Sequence, residues 1–245
     1  MGRRHVIITD GVGSIGVAVA RRFAALGDRV TVMARTTREV DALADEIGAR
    51  PVRIDVGDPA SVEAAFMAAG PADVLVNTAE MQKIAALTST NVRTWEEILK
   101  INLTGAYLCS LKVLPYMIRK SQGCIVNVAS TAGLRGYRYM VGYSTAMHGL
   151  VGFSRALAEE VGGRGITVNV VCPWVVPEPE IEATVDKPPD DAKDTSEARA
   201  RPIKLADPDA VAEACVWLAG EEARTINGMA FAVHEGERIP IAPPV

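Results

Sequence analysis

Short runs of β-branched and aliphatic residues recur along the chain, and longer stretches between them carry apolar residues at helical spacing. The runs "HVIITD" from His5, "RVTVMAR" from Arg29, "PVRIDV" from Pro51, "DVLVNT" from Asp73, "CIVNVAS" from Cys124, "ITVNVVC" from Ile166 and "AFAVHE" from Ala230 are apolar enough on both sides to be strands covered on both faces. Ile15 to Leu26 repeats its apolar residues at helical spacing, and "DPAS" opens a second helix, with Asp58 as cap and Pro59 in the first turn. The longest helix is expected to begin at "TWEE", with Thr94 and Glu97 forming a capping box, and to run towards Arg119. Strand and helix alternating from end to end predict an α/β fold, with right-handed crossovers and a parallel sheet carrying helices on each side.

Residues 177–202, "PEPEIEATVDKPPDDAKDTSEARARP", break this rhythm with proline, acid and little apolar periodicity. They are expected to form a lid-like or disordered insertion, since ligands bind beyond the carboxyl ends of strands in such sheets. A solvated surface excursion has equal standing.

With 245 residues the chain fits one large domain, and 49% hydrophobic residues are those of a globular protein. A net charge of -4 offers nothing to a nucleic acid or an anionic membrane. No apolar run reaches the roughly 18 residues of a membrane span, and "MGRRHVIITD" reads as a strand entrance, so the protein is expected in the cytoplasm. The four cysteines are far apart in apolar stretches and read as buried thiols, and the three histidines have no metal-ligand spacing.

Between the first strand and first helix lies "TDGVGSIG", in which Gly11, Gly13 and Gly16 form G-x-G-x-x-G. In that context glycines permit a tight turn, and the helix N-terminus at Ser14 and Ile15 offers amides to a pyrophosphate. Asp55, followed by Val56, ends the third strand where it could meet an adenine. Arg35 stands where a carboxylate would receive a ribose 2′-hydroxyl, so its charge favours NADP. Against this, Asp10 puts a carboxylate at the mouth of the loop, where it repels phosphate, and a glycine turn without a ligand is the other reading.

In its ordered landmarks the chain resembles the short-chain dehydrogenase/reductase family. They are the glycine-rich turn, "DV" at Asp55, "NTAE" at Asn77, "NLTG" at Asn102, Ser130, Tyr143, "VNVVCP" ending at Pro173 and "TING" near the C-terminus. The resemblance implies a single doubly wound Rossmann-fold domain over residues 1–245 with a seven-stranded parallel sheet, assembled as a homodimer or homotetramer. It implies that Asn102, Ser130 and Tyr143 occupy catalytic positions, and that the glycine turn, Arg35, Asp55, Val56 and Asn77 line a nucleotide site.

The departures cluster at that site. Asp10 and Ser14 replace two glycines of the family's T-G-x-x-x-G-x-G loop, Glu80 replaces the last glycine of "NNAG", Trp174 follows Pro173, and the terminal "NGG" is "HEG" with His234 and Glu235. Met147 replaces the lysine of Tyr-x-x-x-Lys, whose charge lowers the tyrosine pKa in the family. An unperturbed tyrosine titrates near 10, so about one in a thousand is ionised at neutral pH. Beside a thioether Tyr143 becomes a poor base, though it can still give a proton or a hydrogen bond to an oxyanion with Ser130. His148 projects about 100° round the helix from Met147, towards a neighbouring helix or subunit.

Met147 and Trp174 fall where the family's nicotinamide would lie and are expected to build a hydrophobic substrate pocket, with Glu80 at its mouth. Met140 and Met81 read as core. Glu80, His234 and Glu235 are candidate replacement acid/base groups, or surface residues. The function favoured at this point is non-redox acid catalysis or carbonyl polarisation on a hydrophobic small molecule by an isomerase, cyclase, dehydratase or lyase. The alternatives are an NADPH-dependent ketoreductase and a non-catalytic subunit paired with an active relative. The Ala, Val and Arg content resembles that of high-GC bacterial chains, from which a biosynthetic role is expected.

Overall fold

The computed structural model describes residues 3–174 and 206–234. The expected insertion at 177–202 and the candidate acid Glu235 lie outside the described residues.

All seven apolar runs form strands: β1 (His5–Thr9), β2 (Arg29–Ala34), β3 (Arg50–Arg53), β4 (Val74–Asn77), β5 (Gly123–Val128), β6 (Ile166–Pro173) and β7 (Ala230–Val233). They make one seven-stranded parallel sheet in the order β3-β2-β1-β4-β5-β6-β7. The chain winds outward from β1 to β3 and then returns to wind the other way from β4. The order reverses between β1 and β4, and loops on either side of that point leave a crevice at the carboxyl ends of the strands.

Strand pleating divides the apolar residues between two cores. Val6, Ile8, Val74, Val76 and Val126 face one side, against Val19 and Phe23 of α1 (Ser14–Ala25), Val40 of α2 (Thr37–Ile47) and Leu218 of α7 (Pro208–Leu218). Ile7, Leu75 and Ile125 face the other, against Phe66 of α3 (Pro59–Ala69), Val113 of α5 (Gly105–Lys120) and Leu157 of α6 (Val141–Val161). Fully covering a side chain of this size stabilises by roughly 1.5–3 kcal/mol, so the two-sided burial fixes the register of each strand.

Asp58 caps α3 as expected, accepting from the Ala60 N–H at 3.0 Å, with Pro59 following it. The capping box at Thr94 does not form. Helix α4 (Val92–Leu99) begins earlier, where the Asn91 side chain accepts from the Thr94 N–H at 2.8 Å; Glu97 pairs instead with Arg93. Asparagine is the better cap, since its carbonyl reaches the third helical amide without straining the backbone. Nor is the helix regular as far as Arg119. A π-type turn at Lys100–Thr104 separates α4 from α5. Within it Asn102 Nδ2 donates to the Ile98 carbonyl at 2.9 Å, so the side chain competes for an acceptor of the helical ladder and the turn widens.

Among the described residues, no helix is long and apolar enough to cross a membrane, and no group of three or more His, Cys, Asp or Glu is arranged to hold a metal ion. The four cysteines are free and buried. Burial pushes the thiols of Cys109 and Cys172 up to about 12 and that of Cys124 to about 11.

Candidate active site

Ser130 follows β5, and its Oγ accepts from the Ala132 N–H at 3.1 Å, which opens a single 3-10 turn at Thr131–Gly133. Tyr143 lies in the first turn of α6 and is 2% exposed. Met147, one turn further on, is 1% exposed and packs with Tyr143 in a cluster that includes Ala132, Leu150, Val170 and Cys172. The thioether therefore fills apolar space beside the phenol. Met140 packs against the same cluster, as core.

The phenol has a partner that its sequence neighbours did not reveal. Tyr143 Oη donates to Glu80 Oε1 at 2.8 Å across 63 residues. Burial, the negative charge of Glu80 and this hydrogen bond raise the Tyr143 pKa well above 10, while the Ser130 hydroxyl acts in the opposite sense. Where the family places a cation to draw the proton off, this chain places an anion that holds it on. Glu80 is exposed, so the pair stands at the boundary between core and crevice.

Glu80 is positioned from below. Thr78, which follows β4, donates its N–H to Thr9 Oγ1 at 3.2 Å, and its hydroxyl donates to the Thr9 carbonyl. Asn102 spends its amide on the next segment: Oδ1 accepts from the Met81 N–H at 2.9 Å and Nδ2 donates to the Met81 carbonyl at 2.8 Å. Asn102, at a position where the resemblance implies a catalytic role, thus holds the backbone beside Glu80. Met81 accordingly serves as an anchor as well as partly buried packing.

Asn77 is 5% exposed and donates to Asn127 Oδ1 at 2.8 Å; Asn127 donates to Ser154 Oγ at 2.8 Å, and Ser154 to the Leu150 carbonyl at 2.7 Å. This relay ties β4 and β5 to α6 beneath the site. Asn77 Oδ1 is buried with no hydrogen-bond partner among the described residues.

At the end of β1 a Cβ on Gly11 would lie 2.0 Å from Val32 Cγ1, and one on Gly16 2.3 Å from the Asp10 carbonyl oxygen. The turn itself therefore demands glycine at both places. Asp10 has a φ of 53°, in the left-handed region that aspartate enters more readily than most side chains. Gly13 is the N-cap of α1 and brings no capping side chain, so the positive end of the helix opens at the crevice. Arg35 is exposed just past β2, with Arg53 beside it donating to the Arg35 carbonyl at 3.2 Å. Asp55 accepts from the Gly57 N–H at 2.9 Å, and Val56 is buried.

Trp174 adjoins the Met147 cluster through Tyr137. Its ring centre is 5.8 Å from that of Tyr137, and the Arg135 guanidinium carbon stands 4.4 Å from the Trp174 ring and 4.7 Å from the Tyr137 ring. Arg135 Nε donates to Tyr137 Oη at 2.8 Å, and Thr131 Oγ1 shares a 2.9 Å hydrogen bond with the same oxygen. Beside Trp174, where a hydrophobic substrate pocket is expected, the structure thus also brings a cation and a phenol hydroxyl. Arg135 and Tyr137 escaped the sequence reading, although "LRGYRYM" alternates cations with aromatics between Ser130 and Tyr143. His148 is exposed, its Nδ1 2.8 Å from the Ser144 carbonyl, and points away from the phenol. His234 follows β7.

A family model described as short chain dehydrogenase matches residues 4–188. D-threitol dehydrogenase of Mycolicibacterium smegmatis is 34% identical over 242 residues, covering 95% of this chain and 92% of the relative. The 3-oxoacyl-acyl-carrier-protein reductase of Escherichia coli is 32% identical over 236 residues, 94% of this chain and 95% of the relative. Among solved structures, a single-residue variant of actinorhodin polyketide ketoreductase with NADPH superposes with a TM-score of 0.82 at 32% identity, covering 94% of this chain and 95% of that one. These relatives are dehydrogenases and reductases, so they do not support the preference for non-redox chemistry, and the ketoreductase alternative fits them better. Glycine turn, seven-stranded sheet, paired Ser130 and Tyr143 and these likenesses agree: the chain belongs to the short-chain dehydrogenase/reductase family.

Proposed function

We propose that the protein is an NADPH-dependent carbonyl reductase whose resting form already carries the proton that reduction requires. The observation that carries this is the Tyr143 hydrogen bond to Glu80 with Met147 in place of a cation, which keeps the buried phenol protonated.

The residues present fit the cofactor at its adenosine end. The uncapped N-terminus of α1 would meet the pyrophosphate, Arg35 the 2′-phosphate and Asp55 the adenine. The chemistry supplied by NADPH when bound is hydride donation to a carbonyl carbon. The hydroxyls of Ser130 and Tyr143 would orient the carbonyl oxygen and stabilise the charge developing on it. Tyr143 then turns its O–H from Glu80 to that oxygen and gives up the proton. The phenolate left behind is buried beside a carboxylate, so it recovers a proton from solvent at the exposed Glu80. Alcohol oxidation has to begin from this scarce phenolate, and its rate therefore climbs with pH across the neutral and mildly alkaline range.

Titrating the whole chain with NADPH while following nucleotide fluorescence tests the reading, and absence of binding at millimolar nucleotide sinks it. Arg35→Asp is expected to weaken NADPH about tenfold or more and to tighten NADH, because a carboxylate repels the phosphate and accepts from the free hydroxyl. A cofactor-free reading rests on Glu80 as a base beside two hydroxyls; it would require turnover of a carbonyl compound with no nucleotide present.

Assembly of like chains belongs to the same proposal. Tyr107 and Leu111, one turn apart on α5, are 47% and 46% exposed, and Val141 at the start of α6 is 42% exposed. Large apolar side chains at i, i+4 form a stripe suited to a second copy. Light scattering is expected to give the mass of two or four chains, and Leu111→Glu to reduce it; a wild-type monomer would contradict this.

A further inference from the structure

Arg135 is a cation on the turn after Ser130, and among the described residues neither of its Nη groups meets a hydrogen-bond acceptor. It follows Ser130 by five positions, and its N–H donates to the Thr131 carbonyl at 3.1 Å, so the turn carrying Ser130 also carries Arg135. Tyr137, which holds it, packs on the cluster containing Tyr143 and Met147. Trp174 continues from Pro173 at the end of β6, anchored by its N–H on the Val233 carbonyl at 3.0 Å.

The two rings take one face each of the problem of holding a charge without neutralising it. Their electron-rich faces attract the guanidinium, and the Tyr137 hydroxyl fixes its direction through Nε. Among the described residues Arg135 forms no ion pair, and neither Nη group has a hydrogen-bond acceptor. Had the cation been structural, a carboxylate would be its expected partner. Instead, among the described residues, the aromatic frame leaves the two-pronged end of the group without an acceptor, and that end matches a planar oxyanion.

We infer that Arg135, braced by Trp174 and Tyr137, recognises a carboxylate on the substrate, so that the reductase takes a keto acid rather than a neutral ketone. This rests on the reductase reading for its catalytic half, but the recognition itself needs no cofactor. A single guanidinium suits a monoanion, and the carboxylate would lie in the plane of the fork while the carbonyl reaches Ser130 and Tyr143.

The test uses the full chain with acetoacetate, its neutral ethyl ester and inorganic phosphate. Without nucleotide, acetoacetate is expected to change the fluorescence of Trp174 in a saturable way that the ester does not reproduce and that disappears in Trp174→Phe. Arg135→Gln should weaken this binding about tenfold or more, and Arg135→Lys should fall between, since lysine keeps the charge but not the fork or the stacking. With NADPH, the wild-type ratio of kcat/KM for acid over ester should exceed one and drop about tenfold or more in Arg135→Gln. Equal binding of acid and ester, or a ratio that Arg135→Gln leaves unchanged, overturns the inference; phosphate displacing acetoacetate as the tighter ligand overturns the choice of carboxylate. Acetoacetate binding that depends on Arg135, with no reduction of either compound, defeats the reductase reading and leaves the clamp standing. Melting curves of both Arg135 variants separate loss of recognition from loss of fold.

Discussion

Replacing Tyr143 with phenylalanine is expected to lower kcat/KM for NADPH-dependent ketone reduction by about 10²–10⁴-fold. The substitution removes one oxygen from a buried side chain and leaves the ring in its apolar cluster, so the loss is chemical rather than structural. The dissociation constant for NADPH should move little, because the nucleotide's proposed contacts lie at Arg35, Asp55 and the start of α1. Steady-state rates and nucleotide titration of the same preparation check both halves, and a loss below tenfold removes Tyr143 from the reaction. The same variant has a stability signature. The folded phenol titrates well above 10, whereas the unfolded chain releases that proton near 10, so wild-type stability declines as pH rises beyond about 10. Tyr143→Phe should lose part of that decline.

Replacing Met147 with lysine is expected to change the population of phenolate more than any other single substitution. An ammonium one turn from the phenol lowers its pKa by about 1–3 units, which multiplies the phenolate present at neutral pH by about 10–1,000. Catalysis leaves the equilibrium between ketone and alcohol untouched, so kcat/KM must rise by a common factor in both directions. A stronger acid nearer the working pH makes that factor roughly tenfold. The distinguishing readout is the pH profile of alcohol oxidation with NADP. In the wild type it should climb without a plateau up to about pH 10, and in Met147→Lys it should level off at the lowered pKa. The phenolate absorbance of Tyr143, isolated by subtracting a Tyr143→Phe titration, reports the same shift directly. Lysine at this nearly fully buried position costs stability unless its charge finds a partner, and Glu80 is the anion at hand. Combining it with Glu80→Gly, the family's residue, should lower the phenol pKa further but also destabilise the chain. A plateau in the wild-type profile near neutral pH would contradict the whole account of the pair.

The sheet was legible because strands buried on both faces announce themselves as continuous apolar runs; six were found within two residues, and the third ends three residues before its expected run does. The glycine turn was legible from its G-x-G-x-x-G spacing between a strand and a helix, and contacts with Val32 and Asp10 demand glycine at Gly11 and Gly16. What could not be read was the meeting of residues brought together only by the crossovers. Glu80 lies early in the connection from β4 to α4 and Tyr143 in the first turn of a helix 63 positions later, and nothing local to either says that a carboxylate reaches the phenol. The grip of the Asn102 side chain on the Met81 peptide was not readable either, because no pattern of residue types records a contact with backbone. The Arg135 cluster joins a turn to the end of β6 and was missed for the same reason. The capping error at Thr94 was different in kind: Asn91, three residues earlier, was the better cap and visible all along.

The double grip of Asn102 on the Met81 peptide sets the speed at which the site can rearm. With the main chain next to Glu80 held at both its N–H and its carbonyl, releasing the phenol takes no loop excursion. Turning the carboxylate about its side-chain torsions leaves that peptide in place, and rotamer changes of exposed side chains take picoseconds to nanoseconds. Motion of that kind is far faster than the loop and product-release steps that set many turnover numbers.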